Sequence, residues 1–420
     1  MASIMTNRLR IVYATQNASI DLASQVGVAN VISYTVRGLQ AAGHHVTVLT
    51  LRQRCVLGIA DPSNPQEAAP VPQGLCSTRP LLLLESGLRR AQREVGAPYL
   101  ALFDSIRFYE GCYRYLPKGD LCHEFGSLLC VGAALACWRR HVPYVLTVDA
   151  DPLLELRVAG NPMRGLAAWM AAWEARLTHR LAARIICCSE AGKEHLMAAW
   201  QVDPAKVAVI PYAADVGLFT RSCDPQAARG RLGLRDEPVI MFVGSFQPWH
   251  GIEGLATCFA QVRATFPEAR LVLVGDGPAR GSVERRVAQL GIAHAVTFTG
   301  SVPHGEVAEL LAAADVAAVP YPQLPQESWF SPLKLYEYMA AGKAIVASRS
   351  GQIAGVVQHD KTGLLVEPGD LDGFARAVVG LLGDPAKRRS LGDNARQQAV
   401  TRHSWKRYIE QLEDVYASVL

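Results

Sequence analysis

Short runs of aliphatic and β-branched residues alternate along the chain with longer segments whose apolar residues have helical spacing. Some runs are almost continuously apolar, such as VIMFVG, which begins at residue 239, and LVLVG, which begins at residue 271. Strands with this pattern are buried on both faces of a parallel sheet. Because strands alternate with helices, we predict an α/β protein built from βαβ units.

The predicted strands form two series of six, which indicates two doubly wound domains in tandem. The first series comprises residues 10–15, 45–52, 121–125, 144–150, 184–189 and 207–213. The second comprises residues 239–245, 270–275, 296–299, 316–322, 344–350 and 363–366. We predict the linker within residues 216–237, because Asp224-Pro225, Gly230 and Gly233 are typical of turns. Ligands of such sheets bind at the carboxyl ends of the strands, so loops of both domains should face one cleft.

Two regions lie outside the strand series. Residues 55–110 contain a proline-rich stretch and a basic amphipathic segment at 88–94, so we predict a loop with one or two helices there. Residues 404–420 have the apolar spacing of a helix, and Ser404 is a suitable N-cap for it.

Composition and charge exclude one class of partner. The chain has 420 residues, of which 50% are hydrophobic, and a net charge of +4. At roughly 150 residues per domain, this length is typical of two or three domains. No run of basic residues is longer than three, which argues against a nucleic-acid-binding surface.

The cysteines and apolar stretches bear on location. Ten cysteines include no CxxC pair, so we expect buried free thiols in a reducing compartment and no metal site. We see no secretory signal, because polar residues interrupt the apolar positions after residue 15. The longest uncharged apolar stretch, residues 125–138, has fourteen residues, fewer than the roughly 20 of a spanning helix. We therefore expect a buried core helix there and a cytoplasmic protein, with at most a weak peripheral contact to the cytoplasmic side of a membrane.

Residues 164–184 are the candidate for that contact. Trp169, Trp173, Arg176 and Arg180 could form a basic amphipathic face against a membrane surface. However, tryptophans four residues apart more often face a core, and Glu174 breaks the charge pattern. We therefore expect the tryptophans to be buried.

The most informative segment is ESWFSPLKLYEYMAAG, residues 327–342. Ser331 followed by Pro332 predicts a helix start with serine as the N-cap and proline at the first helical position. Lys334 and Glu337 then share one face of the helix. A lysine beside the unpaired N–H groups of a helix start favours an anion site. Taken alone, the two residues are also explained as a solvated surface pair.

Many motifs, in order along the chain, resemble glycosyltransferase family 4, the retaining nucleotide-sugar transferases of GT-B fold. The segments that carry the resemblance are HVPYVLTVD, IICCSEAGKEHL, VIPYAADVGLF, FVGSFQPWHGIEGL, LVLVGDGP, SPLKLYEYMAAGKAIVAS and TGLLVEPGD. The resemblance implies two Rossmann-like domains: an acceptor-side domain at 1–214 and a nucleotide-sugar-binding domain at 215–403. It also implies that a final helix at 404–420 packs back on the first domain.

The resemblance also assigns residues to the donor site. The family glutamate that binds the ribose hydroxyls falls on Glu337, and a preceding family glutamate falls on Trp329, so that Glu327 is its candidate replacement. The family's diphosphate-binding arginine and lysine fall on Ser245 and His250, which makes Lys334 the candidate replacement cation. The implied donor contacts are Gly27, Ser245, His250, Ser331, Leu333, Lys334 and Glu337.

On the acceptor side, His123 and Glu124 end an apolar strand in a region where many family members contact the sugar. We therefore take His123, Glu124, Glu327 and Lys334 as catalytic candidates. The implied reaction transfers a sugar from a nucleotide-diphosphate sugar, UDP favoured over GDP, to a small-molecule, glycan or lipid-linked hydroxyl acceptor with retention. It requires no metal and no other cofactor. The alternatives are a GT-B epimerase or phosphorylase, or a GT-B scaffold that binds nucleotide without catalysis.

Overall fold

The structure is a computed structural model that describes residues 8–17, 20, 22, 27–60, 68–71, 74–94, 102–158, 160–220, 223–324 and 331–420. The chain divides into two compact units. Unit 1 comprises Met1–Ile210 together with Ile409–Leu420, and unit 2 comprises Pro211–Tyr408. The division between the units thus falls four residues before the predicted one at 214, and the final helix changes unit at residue 409.

Unit 1 is an eight-stranded sheet with helices on both faces. Its strands are β1 Arg10–Thr15, β2 His45–Arg52, β3 Cys55–Ile59, β4 Ala69–Pro70, β5 Leu121–Phe125, β6 Tyr144–Val148, β7 Arg184–Cys187 and β8 Val207–Val209. Its helices are α1 Val28–Ala41, α2 Arg79–Glu94, α3 Leu102–Tyr115, α4 Gly132–Arg140, α5 Pro152–Val158, α6 Gly165–Leu181 and α7 Glu190–Trp200. The strand order is β4-β3-β2-β1-β5-β6-β7-β8. The β2–β3 and β3–β4 pairs are antiparallel, and the other described pairs of this sheet are parallel.

Unit 2 is a six-stranded parallel sheet in the order β11-β10-β9-β12-β13-β14. Its strands are β9 Val239–Val243, β10 Arg270–Val274, β11 Val296–Gly300, β12 Val316–Val319, β13 Ala344–Ser348 and β14 Leu364–Val366. Its helices are α8 Val216–Phe219, α9 Pro225–Arg231, α10 Ile252–Thr265, α11 Arg280–Gln289, α12 His304–Ala312, α13 Leu333–Ala340, α14 Gly351–Val356, α15 Leu371–Gly383 and α16 Pro385–Arg402; helix α17, Trp405–Ala417, ends the chain.

The predicted fold class, two doubly wound parallel-sheet domains, is confirmed, and all twelve predicted strands are present. The sheets form where the sequence is nearly continuously apolar, because their strands are buried on both faces: every residue of β9 and of β5 is buried. None of the ten cysteines, all within the described residues, forms a disulfide, and eight of them are buried. No described helix is long and apolar enough to cross a membrane.

Three expectations about local structure are wrong. Residues 55–70 add the edge strands β3 and β4 instead of a plain loop. The stretch 125–138 is not one helix, since α4 begins only at Gly132, and Trp138 near its end is 63% exposed. Finally, Trp169 and Trp173 face away from the core and are 63% and 52% exposed.

The final helix docks within unit 1 through polar and apolar contacts. The Tyr416 hydroxyl lies 2.7 Å from Nδ1 of His123, and Glu413 lies 3.0 Å from Nε2 of His44. The side chain of Ile409 occupies the space that a Cβ on Gly38 of α1 would need. As predicted for an N-cap, the Ser404 hydroxyl accepts a hydrogen bond from the backbone N–H of Arg407, at 3.3 Å.

Close packing of α3 against α4 depends on Gly132. A Cβ at this position would lie 2.5 Å from the carbonyl oxygen of Ser105 and 2.8 Å from the backbone nitrogen of Tyr109. We expect Gly132→Ala to lower the free energy of unfolding by about 1–3 kcal/mol, because rigid backbone must move. Gly87→Ala in α2 is the control, since an added Cβ meets no atom within 4 Å and should raise stability by about 0.5–1 kcal/mol. Urea unfolding measures the free energy of unfolding of both variants. Equal changes in the two variants would contradict the role of Gly132 in close packing.

Candidate functional site

The strand order of unit 2 reverses between β9 and β12, which are adjacent in the sheet but distant in the chain. Loops on either side of such a reversal diverge and leave a crevice at the carboxyl ends of the strands. Gly244 follows β9 directly, and Tyr321 lies two residues after β12. The predicted donor residues should therefore be sought around these two loops.

Helix α13 begins at this position, although its cap differs from the prediction. Pro332 is the N-cap, with extended φ and ψ, and the first helical residue is Leu333, which is half-buried. Ser331 does not cap the helix, because its hydroxyl forms a buried hydrogen bond of 2.7 Å with the hydroxyl of Tyr336. The Ser331 hydroxyl is therefore bonded to a residue of α13 itself, and the start of the helix has no side-chain cap.

Lys334, in the first turn of α13, is a buried cation without a hydrogen-bonded partner. The residue is only 7% exposed, and its Nζ has no hydrogen-bond partner among the described residues. Nζ lies 4.0 Å from the centre of the Phe242 ring and 5.7 Å from that of Tyr321. Burial lowers the pKa of Lys334 to about 7, against the opposing charge of Glu337. An ammonium this buried is costly unless an anion compensates it.

Gly244 makes room for this lysine. A Cβ on Gly244 would lie 2.8 Å from Nζ and 2.9 Å from Cε of Lys334, and its φ of 137° is one that residues with side chains rarely adopt. The tip of Lys334 therefore lies against bare backbone at the end of β9. This proximity brings the start of α13 to the loop that follows the central strand.

His250 occupies the same surroundings in an uncharged form. Its Nδ1 lies 2.5 Å from the carbonyl oxygen of Ser245, which can only accept a hydrogen bond, so Nδ1 carries the proton. Its ring lies 5.3 Å from that of Tyr321 and 6.2 Å from that of Phe242. Burial, and then the charge of Lys334, lower the pKa of His250 to about 3. His250 is therefore neutral at physiological pH, and Ser245, whose side chain is exposed, contributes its backbone carbonyl.

Glu337 lies one turn further along α13 and is held by a histidine. Its Oε1 is 2.7 Å from Nε2 of His304, at the start of α12, and Glu337 is 9% exposed. Burial acts to lower the pKa of His304, but the hydrogen bond and charge of Glu337, together with Asp215, outweigh it and raise the pKa. The pair gives unit 2 an oriented carboxylate on the same helix as Lys334.

Four groups around this site were not predicted as site residues: His304, Phe242, Tyr321 and Gly244. Each of the last three lies at or directly after the end of β9 or β12, so the crevice argument applied residue by residue would have found them. His304 follows β11 in the segment GSVPH, which has the same strand-end position. Glu327 and Trp329 lie outside the described residues, so the proposed replacement of one family glutamate by Glu327 stays a prediction.

In unit 1, His123 is held on both sides of its ring. Its Nδ1 lies 2.7 Å from the hydroxyl of Tyr416, and its Nε2 lies 2.7 Å from Oγ1 of Thr147. The residue is fully buried, and burial lowers its pKa to about 3. At neutral pH the ring is therefore uncharged and carries a single N–H proton, and each ring nitrogen lies within hydrogen-bonding distance of a hydroxyl group. A catalytic role for His123 stays a prediction.

Glu124 is buried among thiols and aromatic rings. Oε2 accepts a hydrogen bond from the hydroxyl of Tyr144, and Oε1 has no partner among the described residues. Burial raises the pKa of Glu124 to about 8, so the carboxyl group is mostly protonated at neutral pH. In this form Glu124 is a hydrogen-bonding group of the core, adjacent to Ala14 of β1 in the sheet.

Gly27 is positioned as the sequence suggested, immediately before α1. It has φ 51° and ψ −122° and its carbonyl accepts a hydrogen bond from Asn30 N at 3.1 Å. A Cβ on Gly27 would meet no atom within 4 Å. The positive φ therefore favours glycine here. Among the described residues, no group of three or more histidine, cysteine, aspartate or glutamate side chains could hold a metal ion.

Comparison with known proteins places both units in one family. The model described as Glycosyltransferase Family 4 matches residues 26–218, and the model described as Glycosyl transferases group 1 matches residues 226–398. The two matches follow each other and account for one unit each. The chain belongs to glycosyltransferase family 4.

Curated relatives within this family carry different names. A D-inositol 3-phosphate glycosyltransferase of Segniliparus rotundus is 30% identical over 242 residues, 56% of this chain and 52% of the relative. A GDP-mannose-dependent alpha-(1-6)-phosphatidylinositol monomannoside mannosyltransferase of Mycolicibacterium smegmatis is 32% identical over 200 residues, 47% of this chain and 52% of the relative. The chain thus aligns with about half the length of these relatives.

Solved structures extend the similarity over the whole chain. The crystal structure of Anabaena Alr3699/HepE in complex with UDP-glucose superimposes with a TM-score of 0.70 at 19% identity, covering 98% of this chain and 100% of that one. At this level of identity the comparison establishes the fold, which is GT-B.

The lack of a partner for Lys334 predicts an unusual effect on stability. Lys334→Met removes a buried charge and keeps its volume, so without ligand it should raise the free energy of unfolding by about 1–3 kcal/mol. Lys343→Met is the matched control, because Lys343 is a half-buried lysine whose Nζ lies 3.1 Å from each of the carbonyl oxygens of Ala312 and Ala314. That variant should be less stable than the wild type. Thermal unfolding measures both, and a destabilised Lys334→Met would contradict the assignment.

Proposed function

We propose that the chain is a retaining glycosyltransferase that transfers a sugar from a nucleotide-diphosphate sugar to a hydroxyl acceptor. The observation that carries the proposal is the buried ammonium group of Lys334 at the start of α13, which has no hydrogen-bond partner among the described residues. Such a group needs an anion, and a diphosphate supplies one of suitable charge. Family membership supports the same reaction class.

In this proposal Lys334 and the backbone N–H groups at the start of α13 stabilise the leaving diphosphate. Charge on the leaving group grows as the glycosidic bond breaks, so these groups act more strongly on the transition state than on the bound donor. The diphosphate would also favour the protonated lysine and raise its pKa from about 7. In this proposal the negative charge of the bound diphosphate stabilises the protonated form of Lys334.

Glu337 would bind the ribose hydroxyls of the donor. A carboxylate accepts hydrogen bonds from two vicinal hydroxyls, and His304 fixes the orientation of this one through Oε1. The acceptor hydroxyl would attack from the face that the nucleotide leaves, with the departing phosphate taking its proton, so that configuration is retained. We propose that no divalent metal is needed, since the protein groups meet the phosphate charge.

The donor is proposed to be a UDP-sugar. The Anabaena protein of the same fold was solved with UDP-glucose, whereas the Mycolicibacterium smegmatis relative is named for GDP-mannose. Thermal shift with UDP, GDP and ADP, each with and without EDTA, identifies the base, because a ligand that binds the folded state raises its melting temperature. Turnover of the matching nucleotide sugar with hydroxyl acceptors, followed by determination of the product's anomeric configuration, then tests transfer and retention. Turnover without an acceptor, or binding without turnover, would overturn the proposal.

We expect Lys334→Ala to damage transfer far more than His250→Ala. Lys334 carries the charge, whereas His250 is neutral at physiological pH and donates its Nδ1 proton to Ser245. The loss in Lys334→Ala should be on the order of 10²-fold or more and should appear mainly in kcat. Lys334→Arg should restore only part of the rate, because the guanidinium differs in shape and reach. Steady-state kinetics decide, and an equal or larger loss in His250→Ala would assign the charge to the histidine.

Replacement of the proposed ribose ligand should affect transfer without unfolding the protein. Glu337→Ala should lower kcat/KM by roughly 30- to 1000-fold, equivalent to about 2–4 kcal/mol, because a charged hydrogen-bond partner is removed. Glu306→Gln is the control. Glu306 lies two residues from His304 on α12, its side chain is 40% exposed, and it forms a surface salt bridge with Arg231, so kcat/KM should stay within a few-fold. Wild-type kinetics in Glu337→Ala would remove this residue from the donor site.

A further inference from the structure

Helix α6 presents its large apolar side chains to solvent and its acidic residue to the core. Leu166, Trp169 and Trp173 are 68%, 63% and 52% exposed, whereas Ala171 and Glu174 are 1% and 6% exposed. The three exposed residues are three and four positions apart, so they form one stripe along the helix. This arrangement is the reverse of an ordinary surface helix, in which apolar residues face the core.

The other exposed residues of the helix are a glycine and two arginines. Arg176 and Arg180 continue the stripe of Leu166, Trp169 and Trp173 at the same spacing, and Gly165 opens the helix. Its remaining polar side chains, Glu174, Thr178 and His179, are buried. The outer face thus offers indole, aliphatic and guanidinium groups, without the hydroxyl or amide groups that a typical protein–protein interface uses for its hydrogen bonds.

Positive charge surrounds the stripe. Arg164 precedes the helix, and Trp138, Arg139 and Arg140, all exposed, end the neighbouring helix α4. Within 132–140 and 160–182 the one acidic residue is Glu174, whose pKa burial raises to about 7. Among the described residues, neither Arg139, Arg164, Arg176 nor Arg180 forms a salt bridge. The charges on this face therefore have no counter-charge within the part of the chain that the structure describes.

We propose that this surface, the outer stripe of α6 with residues 138–140 of α4, docks on an anionic lipid bilayer. Tryptophan and leucine side chains enter the headgroup region, where the amphipathic indole ring is favoured, while arginines at the edge pair with lipid phosphates. The contact is peripheral, since no described helix is long and apolar enough to span a bilayer. The inference is independent of the proposed reaction, because no residue of the donor site takes part.

Helix α2 is a weaker candidate for the same role. It also exposes leucines, Leu83, Leu84 and Leu88. However, two of its arginines are paired within the protein: Arg89 with Glu85 and Asp104, and Arg90 with Glu94. On α6, exposed apolar side chains occur together with arginines that form no salt bridge among the described residues. This combination favours binding to an anionic membrane.

The test is sedimentation of the full chain with vesicles. The protein should bind vesicles of phosphatidylcholine with phosphatidylglycerol and not vesicles of phosphatidylcholine alone, and binding should weaken as salt is raised. Trp169→Ser with Trp173→Ser should weaken binding at least roughly tenfold, and Arg164→Glu with Arg180→Glu should weaken it at least as much. Val400→Ser and Arg285→Glu, exposed residues of unit 2, are the matched controls and should bind as the wild type does.

Three results would overturn the proposal. The first is no binding to anionic vesicles, and the second is binding that the tryptophan and arginine variants leave unchanged. The third is self-association of the wild type in sedimentation velocity that the Trp169→Ser, Trp173→Ser variant abolishes, which would assign the surface to a second copy of the chain. Thermal unfolding of each variant checks that the protein is folded, and the stripe is exposed, so these substitutions should leave stability almost unchanged.

Discussion

A buried lysine without a partner is the constraint around which unit 2 is organised. The ammonium of Lys334 is surrounded by two aromatic rings and the bare backbone of Gly244. Such a group does not stabilise an apolar core. The charge of Glu337 favours the ammonium, but no described residue forms a hydrogen bond with Nζ. Burying this ammonium costs free energy in the protein without ligand. In the complex proposed here, the diphosphate of the bound donor supplies the anion that offsets this cost.

The strand order reverses once in the sheet of each unit, but the side chains at the reversal differ between the two units. In unit 2 the groups at this point are Lys334 and the hydrogen-bonded pair of Glu337 and His304. In unit 1 the corresponding strands β1 and β5 carry groups that burial keeps neutral, since His123 is unprotonated and Glu124 is protonated. Both of these side chains are almost completely buried within unit 1.

The sequence predicts the sheet well, because buried parallel strands must be apolar along their whole length and therefore stand out. It also indicates Lys334 and Glu337, which share a helix face whatever the tertiary structure. It could not give the partners of these residues, since His304 and Phe242 come from other strands and loops. For the same reason the sequence could not show that the pKa of His250 is lowered to about 3, since its burial beside Lys334 depends on packing.

Two local errors have instructive causes. Ser331 has the sequence of an N-cap, but a buried hydrogen bond to Tyr336 outweighs capping. From their spacing, Trp169 and Trp173 were expected in the core. The spacing shows that both residues lie on the same side of the helix, but it does not show whether that side faces the core or the solvent. Glu174, which seemed to break a surface pattern, is on the inner face.

The central claim is that Lys334 takes up a proton when the diphosphate binds. Calorimetric titration with UDP or GDP, whichever stabilises the protein, in buffers of different ionisation enthalpy measures that uptake. With a pKa of about 7 in the free protein, Lys334 is mostly neutral at about pH 8, so binding should take up nearly one proton and weaken as pH rises. His250→Ala should retain this uptake and Lys334→Met should lose it. Binding without proton uptake in the wild type, or equal uptake in Lys334→Met, would contradict the account.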